Sequence, residues 1–353
     1  FAGHNIEVTK MKAIVLEAPN QIVYKDVPKN NLLDTTSVLV RPRVVGICGT
    51  DYHAYRGKQP FINYPLVIGH ELGVEILEVG SDVTHLVPGD ACAVEPYISC
   101  NEQDGNLCFS CRRGHTNHCT RLKVLGVHID GGLCEQFVVP SSKLHRSAKL
   151  DYEQLALIET LAIGYHAVKR SGISKNDVVL VVGAGPIGLS VIQSANLIGA
   201  QVWVLDVNAK RVQFAKKHFG VQTTFVDPIM VEKERESDSS DEMPTAVFDA
   251  TGNTKSMESS LNYAASGGKI TLVGFNRESI TISDEYFHRN ELSLIASRNA
   301  LSDDFTDLIK LMEDGIIDTS HWISERANWN SLVKTLPIWC DSTELIKGVV
   351  DIT

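Results

Sequence analysis

The chain has 353 residues, 43% hydrophobic and 22% charged, with a formal net charge of -10. Its length suits two ordinary globular domains, and its acidity argues against a general binder of nucleic-acid backbones. No run approaches about eighteen apolar residues, so no membrane span or membrane partner is expected.

Residues 1–10 are polar and lack the apolar core of a signal peptide; they read as an extension or a cloning remnant, set aside from the fold, and a cytoplasmic location is expected. From Met11 to about Leu150, short alternating runs (12–16, 37–44, 73–79) are broken by glycine, proline and Asp/Asn turns, which predicts an irregular β domain of barrel or sandwich type. Leu155, Ile158, Leu161, Ala162 and Tyr165 then recur at helical spacing, so 151–171 carries a helix. A second texture begins at Asp177. The apolar run 178–182 leads into Gly183-Ala184-Gly185-Pro186-Ile187-Gly188 and a helix to about Leu197. A strand over 201–205 ends at Asp206, a helix follows over 210–218, and strand patterns return at 223–226, 246–249 and 269–273. Strands alternating with helices predict a parallel sheet covered on both faces. The acidic run 232–242, "EKERESDSSDE", reads as a solvated loop. After about Arg298 helix and strand mix again, with 306–312 helical. The expected class is therefore α/β: a β-rich domain over 11–160 and 299–353, with a doubly wound nucleotide-binding domain over 161–298 inserted in it.

Gly183, Gly185 and Gly188 form GxGxxG directly after a strand and at the start of a helix. The first glycine permits the tight turn, the second lets the backbone approach a pyrophosphate, and the third allows close helix–strand packing. The helix start, with Pro186 and Ile187 in it, offers amide donors to phosphate. Asp206 ends the next strand, where a carboxylate accepts from ribose hydroxyls and repels a 2′-phosphate; this favours NAD over NADP. Arg211 could pair with a 2′-phosphate, but beside Asp206 a place along the adenine or on the surface is the better reading.

Two metal constellations stand out. Cys48, His70 and Glu159, with Glu71 adjacent to His70, offer thiolate, imidazole and carboxylate, which make an open zinc site if the fold gathers them. Spacing alone does not require this: a buried thiol and a satisfied core histidine remain open readings. "CNEQDGNLCFSCRRGHTNHC" is the stronger signal. Cys108-x2-Cys111 is flanked by Cys100 and Cys119, and four thiolates saturate a tetrahedral zinc and close it to substrate. Clustering in a large chain favours metal over disulfides.

Taken in order, "GICGTDYH", "VIGHELGVEILEVGSDV", "VPGD", the cysteine lobe, "IETLAIGYHA", "VVGAGPIGL" and "VFDATG" resemble the zinc-dependent medium-chain alcohol dehydrogenases along nearly the whole chain from Met11. "VLGVHIDGGLCEQFVVP" and "IASRNALSDDF" are similar to its polyol and sugar-acid branch, the dehydrogenases of hexonates such as L-galactonate, L-idonate or L-gulonate. The resemblance implies a GroES-like catalytic domain, a Rossmann domain, NAD, and catalytic and structural zinc. Cys48, His70 and Glu159 fall on catalytic-zinc positions, and Glu71 on a glutamate that ligates directly or through water. Cys100, Cys108, Cys111 and Cys119 fall on the structural lobe. Two departures are visible: seven residues separate Cys100 from Cys108 where the family usually has two, and Thr160 stands where proline usually follows the glutamate.

The implied reaction is hydride transfer from a secondary hydroxyl of a sugar acid or polyol to NAD, with zinc as Lewis acid. Thr50 would accept the hydroxyl proton and His53 relay it to solvent, while Asp51 holds local geometry. His128 and Arg298 are candidates to meet substrate hydroxyls or a carboxylate, with interdomain or subunit contacts as the alternative. A homodimer or homotetramer is the expected assembly. The competing functions are a short-chain secondary alcohol or diol dehydrogenase, and a non-catalytic NAD-binding protein with only a structural zinc. A zinc-ribbon nucleic-acid binder conflicts with the acidic charge and with Glu102 and Asp104 in the lobe.

Overall fold

The structure is a computed structural model that describes residues 9–29, 33–236 and 243–352. The chain divides into two compact units. The first ends at Glu159 and resumes at Phe305; the second runs Thr160–Asp304.

In the first unit, the strands Gln21–Pro28 and Lys10–Ala18 pair antiparallel, and Leu66–Val67 joins the other side of Lys10–Ala18. Lys10, set aside with the extension on sequence grounds, opens this strand opposite Pro28, and Lys29 donates its amide to the Thr9 carbonyl at 2.8 Å. A polar residue at a strand end keeps its backbone pairing whatever its side chain, so polarity misplaced the boundary by a residue.

The main sheet, among the described residues, runs in the order Leu144–Ser147, Ala91–Val94, Glu71–Val79, Ser37–Ile47, Lys347–Asp351, Ile323–Asn328, with Phe137–Pro140 also on Ser37–Ile47. Val38, Val40, Val45 and Ile47 alternate into a core with Leu72, Val74, Ile76, Ile14 and Leu16, closed by Leu332, Leu336 and Trp339 of the helix Trp329–Asp341. The central strand sets up the chemistry. Gly46 lies opposite Glu71, and Ile47 opposite Gly348 of the C-terminal strand. Residues far apart in the chain thereby share one end of the sheet.

In the second unit the order is Thr223–Phe225, Gln201–Leu205, Val178–Val182, Ala246–Asp249, Lys269–Leu272, Ser293–Ala296, every neighbouring pair parallel. Numbered along the chain this is 3-2-1-4-5-6, the Rossmann order, and ligands bind such sheets where the order reverses, outside the strand ends. The first strand, Val-Val-Leu-Val-Val, is buried along its length, as a central parallel strand must be.

The acidic run behaves differently from the sequence reading. Its first five residues continue the helix Pro228–Glu236; residues 237–242 lie outside the described ones. Asp227 accepts from the Ile229 amide at 2.9 Å, Pro228 opens the first turn, and Val231 is buried. A capped start and one apolar anchor carry a charged sequence into helix, which charge density alone does not reveal. No helix among the described residues is long and apolar enough to cross a membrane.

Candidate active site and metal centres

Cys48 follows the strand Ser37–Ile47 and caps the helix Gly49–Tyr55. His70 immediately precedes the strand Glu71–Val79. The register of these two strands brings the ligand atoms of Cys48, His70 and Glu71 within 4.8 Å of one another. Asp51, fully buried, accepts the Cys48 amide at 2.9 Å through Oδ2 and aims Oδ1 at His70 Nδ1, 3.8 Å away. Neither Asp51 Oδ1 nor His70 Nδ1 has a hydrogen-bond partner among the described residues. Burial opposes charge on His70, but the Asp51 carboxylate and Cys48 beside it push its pKa well above the ordinary imidazole value. A buried imidazole with a buried carboxylate 3.8 Å away, next to a thiol and with ring and carboxylate atoms left unsatisfied, is a donor set that fits zinc.

The two carboxylates differ. Glu71 receives the buried Lys347 ammonium on both oxygens, at 2.5 Å and 2.7 Å. Its Oε2 fills the space above Gly46, where an added Cβ would lie only 2.2 Å away, so that position requires glycine. Glu159, on the helix Tyr152–Ser171, stands outside the 4.8 Å donor group and receives the Tyr97 hydroxyl on Oε1. Burial pushes its pKa up; His70 opposes this and Glu71 adds to it. Thr160 continues the same helix, so the missing proline costs no turn there. Sequence reasoning missed Lys347 and Tyr97. Their signals were faint: a lysine inside the apolar C-terminal run "LIKGVV", and a tyrosine three residues before Cys100.

Thr50 and His53 lie on the short helix that Cys48 caps, Thr50 half-buried and His53 exposed on one side. Partial desolvation, then Lys58 and Arg56, hold the His53 pKa below 6.5. His128 accepts the Val124 amide on Nδ1 at 3.1 Å and stacks on Phe61. Its loop is anchored beside His70, since Gly132 donates its amide to the Gly69 carbonyl at 2.9 Å. Arg298 belongs to the second unit, exposed just after the strand Ser293–Ala296.

The four lobe sulfurs also lie within 4.8 Å of one another, and all the cysteines are free of disulfides. Cys100 opens the helix Cys100–Gln103, and Cys108 precedes Phe109–Arg112. The Cys108 amide donates to Cys100 Sγ at 3.2 Å and the Cys100 amide to Cys119 Sγ at 3.3 Å. The Cys111 and Thr120 amides draw the Cys108 thiol down to about 5, whereas burial pushes Cys111 up to about 12. The long gap after Cys100 forms an exposed loop clipped by Arg121, whose guanidinium donates to both Asp104 oxygens at 2.6 Å and 3.1 Å. The added residues therefore leave Cys100 beside the other three. The set suits a closed, structural zinc.

In the second unit, Gly183 has φ +93° and Gly188 sits against it, an added Cβ falling 1.7 Å from the Gly183 carbonyl oxygen. Pro186 is the first residue of the helix Pro186–Leu197 and Ile187 follows it; Gly185 caps that helix, with Arg211 Nη1 3.6 Å from where its Cβ would be. Asp206 already accepts two amides, Ala184 on Oδ2 and Asn208 on Oδ1, each at 2.7 Å. It shapes the glycine turn and ends the second strand of the Rossmann order.

An open donor set leaves room for a substrate, and a closed one does not; with a dinucleotide turn in the same chain, the class is that of the zinc-dependent dehydrogenases. Residues 34–149 match the family model of the alcohol dehydrogenase GroES-like domain, and residues 186–314 that of the zinc-binding dehydrogenases. The chain is 35% identical to the L-galactonate-5-dehydrogenase of Escherichia coli K12 over 97% of this chain and 99% of that one. It is 36% identical to the L-idonate 5-dehydrogenase of Vitis vinifera over 69% and 68%. Among solved structures, RspB of E. coli CFT073, a short chain alcohol dehydrogenase complexed with NADH, superposes with a TM-score of 0.89 at 29% identity, covering 97% of this chain and 99% of that one. The chain belongs to the zinc-dependent medium-chain alcohol dehydrogenase family.

Proposed function

We propose that this enzyme interconverts a secondary hydroxyl of a sugar acid or polyol with its ketone, with NAD as hydride acceptor and aldonates such as L-galactonate or L-idonate as substrates. The observation that carries this reading is the half-buried Cys48 thiol gathered with the buried His70 and Glu71, with the buried Glu159 close enough for His70 to influence its charge, in a chain that matches a hexonate dehydrogenase over 97% of its length.

Cys48, His70 and a carboxylate of Glu159 or Glu71 would hold a catalytic zinc, and Cys100, Cys108, Cys111 and Cys119 would hold a structural one. A zinc ion, when bound, draws the pKa of a substrate hydroxyl towards neutrality, and NAD provides the acceptor for its hydride. Asp51 ties down the Cys48 backbone and sets a negative charge beside His70. Thr50 accepts the hydroxyl proton. His53, whose pKa partial burial and the Lys58 and Arg56 charges lower, takes it on towards solvent. His128, with its Nδ1 accepting the Val124 amide, is placed to meet a substrate hydroxyl. Gly183, Gly185 and Gly188 let the pyrophosphate approach, and Asp206 accepts from the ribose. Arg298 is assigned no step.

A screen of aldonates and polyols with NAD, following reduced nicotinamide absorbance, tests the reading. Turnover of a hexonate with little turnover of butanediol is expected. No turnover of any polyol or aldonate by protein carrying about two zincs per chain would sink the substrate class.

A further inference from the structure

Tyr97 lies between the two metal centres along the chain, and neither of them explains it. It is 2% exposed, packs edge-on against Phe305 at 6.2 Å, and pairs its backbone with Val124. The segment carrying it is pinned on both sides. Two residues before it, Glu95 accepts from the buried Lys143 ammonium at 2.7 Å. Two residues after it, Ser99 donates its amide and hydroxyl to Glu102 Oε2 at 2.8 Å and 2.7 Å, and Lys143 lies 3.6 Å from Glu102 Oε1. The buried phenol donates its hydroxyl to Glu159 Oε1. No other hydrogen bond reaches the Glu159 carboxylate among the described residues.

The contrast with Glu71 is informative. Glu71 has both oxygens engaged by an ammonium ion, which competes with any metal for them. Glu159 has one oxygen engaged by a neutral donor and no hydrogen bond to the other among the described residues. A carboxylate held this way presents a single oxygen in a fixed rotamer, so it loses less conformational freedom on ligation.

We propose that Tyr97 is the positioning residue of Glu159, selecting which oxygen faces the metal and holding the carboxylate ready for it. This rests on the dehydrogenase reading above, with Glu159 as the carboxylate ligand. The phenol acts through the carboxylate it holds.

Tyr97→Phe removes the hydroxyl and keeps the ring. By chelator competition, zinc at the Cys48–His70 site should bind about 10- to 100-fold more weakly, the range found when a hydrogen-bond partner of a metal ligand is lost. The lobe zinc should stay, showing that the protein is folded. The visible spectrum of the cobalt-substituted site should shift, and kcat should fall with KM nearly unchanged. In a Glu159→Gln background, Tyr97→Phe should add little further weakening, because the two side chains act as one unit. That double variant also pairs two neutral groups, so it remains informative if the single variant folds poorly. Unchanged zinc affinity and cobalt spectrum in Tyr97→Phe, or full additivity with Glu159→Gln, would overturn the assignment of Tyr97. Wild-type protein that binds zinc only in the lobe would instead overturn the functional reading beneath it.

Discussion

Lys347 and Glu71 form a buried ion pair joined across 276 residues of chain, with the ammonium 2.5 Å and 2.7 Å from the two carboxylate oxygens. Burial works against the charge on Lys347, and the Glu71 carboxylate and Cys48 more than offset it, so its pKa stands above 10.5. Truncating one partner leaves a buried charge uncompensated, which costs about 3–5 kcal/mol. Lys347→Met should lower the unfolding free energy of the first unit by that amount. Lys347→Met combined with Glu71→Gln should recover most of it. Urea unfolding of the three proteins checks this, and an equally unstable double variant would show that the lysine stem, not the charge, is what the core needs.

Asp206 holds the glycine turn through the Ala184 amide, and in the proposed function it also accepts from the ribose. Asp206→Ser should raise the KM for NAD by about 10-fold or more, the loss of one hydrogen bond to a charged group. It should also relax the preference for NAD over NADP. The ratio of kcat/KM for the two cofactors measures it, and an unchanged ratio would remove Asp206 from the specificity argument.

The lobe makes a prediction about metal content. Cys100 belongs to the four-sulfur group despite its long spacing to Cys108. Cys100→Ser should lower zinc from about two to about one per chain, since three thiolates hold a structural zinc poorly, and should depress Tm. Elemental analysis with a thermal melt decides. Full zinc content at full stability would place Cys100 off the metal.

The second unit carries its own pH signature. Asp304 is buried; it accepts from His166 Nδ1 at 2.8 Å and from the Leu301 amide at 2.9 Å, and Lys169 Nζ forms an ion pair with it at 2.8 Å. Burial alone would raise its pKa, but His166 and Lys169 outweigh it and hold the carboxyl below 3.8. A depressed carboxylate contributes stability that is fully present above 3.8 and fades as pH falls through the lower folded value. Asp304→Asn should therefore cost about 2–3 kcal/mol at pH 7, the worth of a buried charged hydrogen-bond set. The gap to wild type should narrow only once pH drops below 3.8. Denaturant unfolding at pH 7, 5 and 3.5 tests this, and a gap already closing between pH 7 and 5 would assign the effect to another group.

Much of this protein was legible in its sequence because the signals are local. A glycine turn after an apolar strand, a pinch of cysteines and an aspartate at the next strand's end are each set by a few neighbouring residues, whose backbone geometry the residue types dictate. From these the two-part α/β fold, the dinucleotide turn and the four-thiol lobe follow directly. The tertiary structure alone decided how the carboxylates are dressed. Lys347 reaches Glu71 because the C-terminal strand pairs Gly348 with Ile47, and Tyr97 reaches Glu159 across 62 residues. Strand register and helix placement set such partners, and no spacing in the chain encodes them. The same limit misread residues 232–236, where a cap and one buried valine outweighed the charge of the run. Residue types state which chemistry is available; long-range packing settles which oxygen or nitrogen is free to perform it.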